Sequence, residues 1–301
     1  MINPQFVRFY KLLIPLVLRN RVTMLRNAGG LNTIRKNILH YYQEKGITDI
    51  EIAQVLDYLK KKPARLFPYH FPDNYQPANI KVCHDSGNGL NYVLHQQKRM
   101  YFKRSWCSET IREKYNDLLI EQDRRSPHCY LDEEFAVKPG DVVADIGAAE
   151  GIFALSVIEI IDKIFLFETD PEWIEALQAT FRLWGNKVEI IHKFVSDQNN
   201  ESNISLDQFC IKQDVSFDLI KVDVDGAELS LLNGARKMLA NADKIKLAIC
   251  TYHQQEDEAV FRSIFKCYNM IVNPSHGYMV FYYDPHLASP YLRRGLLRAV
   301  K

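Results

Sequence analysis

A short segment in the middle of the chain places an acidic residue beside closely spaced glycines. It reads DIGAAEG over 145–151 and completes the apolar run VVADI. A glycine after a buried strand lets the backbone approach a ligand closely. The dinucleotide-binding pattern GxGxxG is absent, because Ala149 stands where its second glycine is required. An acid at this strand end also suits a cationic ligand better than a pyrophosphate.

A second acidic residue follows about twenty residues later at the end of the run KIFLF. A carboxylate there, Glu168, can accept hydrogen bonds from both hydroxyls of a ribose. The alternative is an ordinary acid before the helix that starts at Asp170-Pro171, but the spacing from the glycine segment favours the ribose role. The ribose role is shared by NAD and S-adenosylmethionine sites, whereas the acid at the end of the first strand suits the positive sulfonium and α-amino groups of S-adenosylmethionine better.

The elements that must position these residues alternate regularly from Asp141 onward. Apolar runs of strand length (VVADIG, KIFLFE, KVEIIHK, FDLIKVD and KIKLAICTY) are separated by segments of helical pattern. This alternation predicts a parallel sheet with helices on both faces and ligands at the carboxyl ends of its strands. The last runs, MIVN and YMVFYY, predict an antiparallel hairpin that closes the sheet. The expected fold is α/β, a Rossmann-like sheet with one modified edge.

The residues before this alternation have a different pattern and predict an α+β accessory or lid region over 1–125, followed by the catalytic domain over 126–301. Two helices are expected first: one over about 31–44 after Gly29-Gly30, and one that begins at a capping box of Thr48 and Glu51 and runs to about Lys61. A hairpin is expected from Ile80, followed by a helix over about 109–122 that is capped by Ser108.

The formal net charge of +1 hides an asymmetry along the chain. Seven Lys and Arg precede the first acidic residue, Glu44, and residues 285–301 hold four more without an acid, so the middle carries −10. In the apolar and basic stretch Phe6–Val22 the longest uncharged run, Leu12–Leu18, is far too short to span a bilayer, and Pro15 interrupts it. It predicts either a helix packed on the domain or an interfacial helix. The basic ends are expected either to contact an anionic membrane or glycan, or to pack on the acidic body.

The six cysteines form no CxxC pair, which predicts a reducing, cytoplasmic setting, and no secretory signal is expected. The composition, 47% hydrophobic and 25% charged, excludes collagen-like, disordered and disulfide-framework proteins. We therefore expect a cytoplasmic protein, with peripheral contact at the inner membrane face if the basic ends bind lipid.

Over about Tyr130 to Tyr283 the chain resembles the FkbM-type S-adenosylmethionine-dependent methyltransferases. The matching segments are GDVVADIGAAEGIFAL, FLFETDPEW, and ISLDQF followed by FDLIKVDVDGAELSLLNGARKML. The most distinctive is IKVDVDGAE, in which Asp225 stands where the family commonly has Glu.

The resemblance implies roles for several residues of this chain. Those expected to contact the cofactor are Asp145, Gly147, Ala148 and Gly151 at its methionine side, Glu168 at the ribose, Asp197 at the adenine, and Asp223 at the methionine end or the substrate. For Asp197 a solvated turn remains the alternative. Glu228 is interpreted as an acid that complements a helix N-terminus. His128 and Tyr130 precede the first strand and are expected to contact substrate or cofactor, or to form a tight turn with a packed tyrosine.

Methyl transfer from a sulfonium is an in-line displacement, which often requires a base for the acceptor hydroxyl. His253, at the end of the fifth strand, is the best placed of the nine histidines; the alternative is a capping or exposed histidine. Asp223 or Asp225 can serve as the base instead, or bind a divalent metal with His253. We predict no metal, because two aspartates two residues apart are insufficient to indicate one.

The resemblance implies an O-methyltransferase, with a hydroxyl of a sugar or glycan intermediate as the expected acceptor. A nucleotide-dependent oxidoreductase is disfavoured by Asp145 and by the missing glycine. A nucleic-acid methyltransferase is disfavoured by the acidic body and by the sequence VDVDG at 222–226, where enzymes acting on exocyclic amines carry Asn/Asp-Pro-Pro-aromatic. A non-catalytic scaffold on the same fold is the remaining alternative. We expect no nucleic-acid partner, and the sequence does not predict the oligomeric state.

Overall fold

A computed structural model describes the protein over residues 16–301, with side chains from residue 29 onward. Helices and a small sheet precede its central sheet. The elements of this part are α1 (Leu16–Lys45), α2 (Ile50–Lys61), β1 (Cys83–Asp85), β2 (Leu90–His95), β3 (Lys98–Tyr101) and α3 (Ser108–Glu121). The three strands pair antiparallel in chain order. The predicted helices and hairpin are therefore present.

Three helix boundaries in this part differ from the sequence-based expectation. Helix α1 continues through Gly29-Gly30 instead of beginning after them. The N-cap of α2 is Asp49, not Thr48, because the Asp49 carboxylate accepts a hydrogen bond from the Glu51 amide at 2.8 Å. Ser108 is the first residue of α3 rather than its cap. Each difference is a shift of one element end and leaves the order of elements unchanged.

Nine further strands follow, and seven of them form the central sheet. Their bounds are β4 (Val142–Ile146), β5 (Lys163–Phe167), β6 (Val188–Ile191), β7 (Phe194–Val195), β8 (Asn203–Ile204), β9 (Leu219–Val222), β10 (Lys246–Cys250), β11 (Ile271–Pro274) and β12 (Leu296–Val300). The sheet order is β11-β12-β10-β9-β4-β5-β6, while β7 and β8 pair separately. Strands β4, β5, β6, β9 and β10 are parallel, which confirms the predicted Rossmann-like α/β class.

Short helices connect these strands and cover the two faces of the sheet. Their bounds are α4 (Ile152–Val157), α5 (Pro171–Thr180), α6 (Leu206–Gln213), α7 (Glu228–Asn233), α8 (Arg236–Asn241) and α9 (Asp257–Cys267). The strand order changes direction at β4, which lies between β5 and β9. A crevice for a ligand is therefore expected at the carboxyl ends of β4, β5 and β9.

The hairpin predicted at the edge of the sheet is formed by different residues. MIVN corresponds to β11, but YMVFYY is not a strand, and only Met279 within it forms an isolated bridge, with Arg293. The strand that pairs with β11 is β12, which also pairs with β10, so it lies antiparallel between them. The prediction was wrong because Val280 packs in a hydrophobic cluster with α1 and α2 instead of with the sheet.

Side chains of the central sheet divide between two hydrophobic clusters, because successive residues of a strand face opposite sides. Val143 belongs to one cluster and Ala144 to the other. The first cluster also contains Leu90 and Met100 of the small antiparallel sheet. The region before residue 126 thus contributes to the core of the central sheet, and the domain boundary at 125 stays a prediction.

The bases near the C-terminus contact the acidic body of the protein. Three form ion pairs: Arg293 with Asp284, Arg294 with Glu51, and Arg298 with Asp132. Lys301 donates hydrogen bonds to two backbone carbonyls at the end of α8. At this end the structure thus shows packing on the acidic body, and membrane contact stays a prediction.

The N-terminal bases are different, because five of the seven side chains lie outside the described residues. The stretch Phe6–Val22 is described only from residue 16, and there without side chains. Membrane contact through this end stays a prediction. Within the described part of the chain, no helix combines the length and the apolar character that crossing a membrane requires.

Replacement of Leu59 by Ala should destabilise the protein strongly. Leu59 is fully buried in the cluster that joins α2 to Val280 and Leu292, and such a truncation leaves a cavity that lowers the free energy of unfolding by about 2–5 kcal/mol. Urea unfolding of the full chain measures the loss. Ile50→Ala in the same helix is the control: Ile50 is 75% exposed, and a change below about 0.5 kcal/mol is expected. Equal losses for the two variants would contradict the packing described here.

Candidate active site

Asp223, directly after β9, is the centre of a group of polar side chains at the carboxyl edge of the sheet. Tyr130 donates a hydrogen bond to its Oδ2 at 2.8 Å, and Tyr252 donates to its Oδ1 at 3.1 Å. His128 Nε2 lies 3.4 Å from Oδ2. Burial alone would raise the pKa of Asp223, but His128 and Lys221 outweigh it and hold the pKa well below its usual value. Asp223 is thus an ionised acceptor.

His128 is buried against this carboxylate. Its Nε2 also lies 3.3 Å from the Tyr252 hydroxyl and 3.8 Å from Cys250 Sγ, and within the described residues its Nδ1 has no hydrogen-bond partner. Burial lowers the pKa of His128, but the Asp223 carboxylate more than compensates and the pKa is raised. The structure therefore brings the predicted residues His128 and Tyr130 together at Asp223.

His253 approaches Asp223 from the other side. Its Nδ1 lies 2.9 Å from Glu228 Oε1, and its Nε2 lies 3.9 Å from Asp223 and 3.7 Å from Asp225. His253 is 9% exposed and Glu228 is 1% exposed. Burial lowers the pKa of His253, but the Glu228 carboxylate outweighs it, so the pKa is raised. Glu228 thus lies at ion-pair distance from Nδ1, which has no hydrogen-bond partner within the described residues, and Nε2 faces Asp223.

Glu228 was interpreted from the sequence only as an acid at a helix N-terminus. It is indeed the first residue of α7, but its buried carboxylate contacts His253 and accepts a hydrogen bond from the Val224 amide. A signal was available, since the acid lies within the distinctive segment IKVDVDGAE. Asp225, by contrast, has an exposed side chain (86%). Its backbone has a φ of +53°, in the left-handed region.

A buried ion pair joins Asp145, the first residue of the segment DIGAAEG, to Lys221. Lys221 Nζ, from β9, is 2.9 Å from Asp145 Oδ1 and donates a hydrogen bond to the Gly147 carbonyl at 2.6 Å. Burial lowers the pKa of Lys221, but Asp145 and Asp223 outweigh it and raise the pKa above its usual value. Asp145, predicted to face a cationic ligand, thus has a cation of the protein itself as its partner.

Lys221 was not predicted as a site residue. It is the charged residue of the otherwise apolar strand LIKV, all of whose residues are buried. Fully buried lysines are almost always paired, so its position in the sequence was itself a signal of an acidic partner.

The backbone of the glycine segment passes against the end of β9. Gly147 has a φ of +75°, and a Cβ at this position would lie 1.9 Å from the Asp223 carbonyl oxygen. Gly151 also has a positive φ, and a Cβ there would lie 2.8 Å from Leu177. Ala148 is buried. The two glycines are required by close packing within the protein, and their contact with a cofactor stays a prediction.

Glu168 connects β5 to the glycine segment. Its Oε2 accepts a hydrogen bond from the Ala149 amide at 2.9 Å, and its Oε1 accepts from the Thr169 and Asp170 amides. The half-buried carboxylate is thereby oriented at the crevice between β4 and β5. Asp197 forms no hydrogen bond with Glu168 or the glycine segment among the described residues; its carboxylate accepts a hydrogen bond from the Ser230 hydroxyl at 3.0 Å. The Asp197 side chain is exposed, as expected for an aspartate in a solvated turn, and its contact with adenine stays a prediction.

Two sets of side chains in this group have metal-ligating chemistry. They are His128, Asp223 and Cys250, and Asp223, Glu228 and His253, in each of which the ligand atoms lie within 4.8 Å of one another. Nitrogen, oxygen and sulfur ligands suit a transition metal. Ion pairs among these side chains already account for most of their close contacts, and the prediction that no metal is bound remains untested.

Residues 177–282 match the family described as the methyltransferase FkbM domain. This part of the chain is therefore similar to the FkbM methyltransferase domain, in agreement with the resemblance seen in the sequence. A search of curated proteins finds no match.

Similar folds are found among solved methyltransferase structures. The methyltransferase FkbM of Methylobacillus flagellatus KT is 18% identical with a TM-score of 0.47, and the alignment covers 64% of this chain and 52% of that one. A putative RNA methyltransferase of Pyrococcus horikoshii is 16% identical with a TM-score of 0.34, and 54% and 73% are covered. The chain thus spans about half the length of the Methylobacillus protein.

Replacement of Lys221 by Met should lower the free energy of unfolding by about 3–5 kcal/mol, because it leaves the buried Asp145 carboxylate without its partner. Asp145→Asn in the same background removes the stranded charge and should restore part of the loss. Denaturant unfolding of the full chain measures both variants. Lys212→Met, at an exposed position, is the control. Wild-type stability of Lys221→Met would show that the pair does not support the fold.

Proposed function

We propose that the protein transfers the methyl group of S-adenosylmethionine to a hydroxyl group of a sugar or glycan intermediate. The observation that carries this proposal is the Glu228–His253 pair, which presents a histidine nitrogen beside Asp223 at the carboxyl edge of the sheet. The family match supports methyl transfer, and the chemistry of the pair supports a hydroxyl acceptor, whose proton must be removed.

The residues at the ends of β4 and β5 fit the cofactor. Glu168 is oriented by three backbone amides at the crevice and can accept the ribose hydroxyls. Gly147 lets the chain pass closely against the backbone of Asp223. When bound, S-adenosylmethionine supplies an electrophilic methyl group on a sulfonium, and the ionised Asp223 provides a favourable negative charge for that centre.

His253 is the residue that we assign as the base. Its Nδ1 lies against the Glu228 carboxylate, and Nε2, on the side of Asp223, is the nitrogen that would take the acceptor proton. The charge that forms on the ring is stabilised by Glu228 on one side and by Asp223 on the other. This is the arrangement of a base and an orienting carboxylate that proton abstraction requires.

Aromatic side chains beside the base support a ring-shaped acceptor. The Tyr252 ring centroid lies 4.1 Å from that of His253 and 4.9 Å from that of Phe281, and the Phe281 centroid lies 5.8 Å from that of Tyr283. Such rings combine apolar surface with a polar end, and this combination suits the mixed faces of a sugar. Neither Tyr252 nor Phe281 was predicted from the sequence.

S-adenosylhomocysteine should stabilise the protein against thermal unfolding, whereas NAD should not. A ligand at one hundred times its Kd contributes about 2.7 kcal/mol, which a shift in Tm reports. Glu168→Ala should reduce the stabilisation by S-adenosylhomocysteine, and Glu159→Ala, at an exposed position, is its control. Stabilisation by NAD alone would favour an oxidoreductase, and the absence of any effect would favour a scaffold.

Replacement of His253 by Ala should lower methyl transfer by about 10²–10⁴-fold, the usual contribution of a general base, with unchanged affinity for S-adenosylhomocysteine. The assay follows label from S-adenosylmethionine into extracted cell-envelope glycans or lipid-linked sugars. His84→Ala, at an exposed position in β1, is the matched control. Unchanged turnover of His253→Ala would discard the assignment of the base.

Glu228→Gln should move the pH dependence of this transfer. The Glu228 carboxylate raises the pKa of His253, and a base acts in its deprotonated form, so activity rises with pH as the histidine loses its proton. Without the carboxylate that pKa falls, and the rise should occur at lower pH. A pH–rate profile of the variant, compared with wild type, measures the shift. An unmoved profile would show that Glu228 does not act through His253.

A further inference from the structure

A small cavity lies between α3 and the glycine segment, next to the candidate active site. Its volume is about 120 Å³, several times the volume of one water molecule. It is lined by Trp106, Lys114, Asp117, Leu118, Glu121 and Glu150. Glu121 is close enough to the active site to contribute to the raised pKa of His128. The cavity is therefore adjacent to the reacting groups rather than remote from them.

Glu150 projects into this cavity without a partner from any other described residue. It is 8% exposed, and its carboxylate receives a hydrogen bond only from its own backbone amide. Glu121 likewise forms no hydrogen bond or ion pair within the described part of the chain. The one lysine of the cavity, Lys114, lies 3.3 Å from Asp117 and pairs with it. Glu150 is thus a buried carboxylate without an ion-pair partner in the described residues, although buried charges are normally paired. Glu121 is half-buried, and only the charges of His128 and Lys114, which form no ion pair with it, favour its ionised form.

Burial disfavours the ionised form of both carboxylates. Burial, together with the neighbouring Glu121, raises the pKa of Glu150 to about 8. Burial raises the pKa of Glu121 to about 7. A positive group between them would favour the ionised form of each and remove this penalty.

We propose that Glu121 and Glu150 bind an aliphatic ammonium group during the reaction. The assignment rests on the proposed function, because that function brings a cationic cofactor to this end of the sheet. Asp145, the acid that the sequence offers for such a charge, already has Lys221 as its partner. The Trp106 ring in the cavity wall is compatible with an ammonium group. Its source is either the amino acid part of the cofactor or an amine on the acceptor.

The first arm of the test asks whether the cofactor supplies the ammonium group. Calorimetry measures the Kd of S-adenosylhomocysteine and of its analogue without the amino group, on wild type and on Glu150→Gln. If the cofactor is the source, loss of the amine weakens binding to wild type by about tenfold or more, the effect of one charge-assisted hydrogen bond. Glu150→Gln then weakens S-adenosylhomocysteine but not the analogue.

The second arm asks whether the acceptor supplies it. Protein saturated with S-adenosylhomocysteine is titrated with glucosamine and with the neutral N-acetylglucosamine, and binding is followed by ligand-detected NMR. If the acceptor is the source, wild type prefers glucosamine, Glu150→Gln loses the preference, and the first arm shows no effect of the amine.

Controls separate this proposal from the proposed function. Glu134→Gln, at an exposed position, should behave as wild type in both arms. Glu150→Gln should fold at least as well as wild type, because it removes a charge that burial penalises. If S-adenosylhomocysteine binds but neither amine matters, the ammonium site is wrong and the methyltransferase proposal is unaffected. If S-adenosylhomocysteine binds to no variant, the proposed function itself has failed.

Discussion

The ion pair between Lys221 and Asp145 is the interaction on which the rest of the site depends. It joins β9 to β4 where the strand order changes direction, and the same ammonium group also holds the Gly147 carbonyl. Because both groups are buried, neither can lose its partner without a large loss of stability. The pair therefore fixes the glycine segment against the strand that Asp223 directly follows.

Charge in the site is arranged around one ionised carboxylate. Tyrosine hydroxyls and histidine rings surround Asp223, whereas Glu121 and Glu150 lie close by without such donors. These acids differ because their environments differ: donors lower the pKa of Asp223, and burial raises that of the glutamates. Such a separation of pKa values among neighbouring acids is typical of functional sites.

The parallel sheet and the grouping of Asp223 with His253 were predictable from the sequence, because apolar runs define the strands and the ends of parallel strands meet at one edge. The partners of these residues were less predictable. The contact of Glu228 with His253 depends on how α7 lies against the end of β10, which a linear pattern does not specify. The position of β12 was missed because both candidate segments are apolar, and only packing against α1 and α2 distinguishes them.

The segment between β11 and β12, residues 275–295, can change independently of the strands that carry the glycine segment and Glu168. Both of its ends are anchored by antiparallel pairing at one edge of the sheet, and it places Phe281 beside His253. The glycine segment and Glu168 belong to other strands. Under the proposed function, insertions or substitutions in this segment would alter the surroundings of the acceptor and leave the residues proposed for the cofactor in place. Acceptor selectivity and cofactor binding would then depend on separate stretches of the chain.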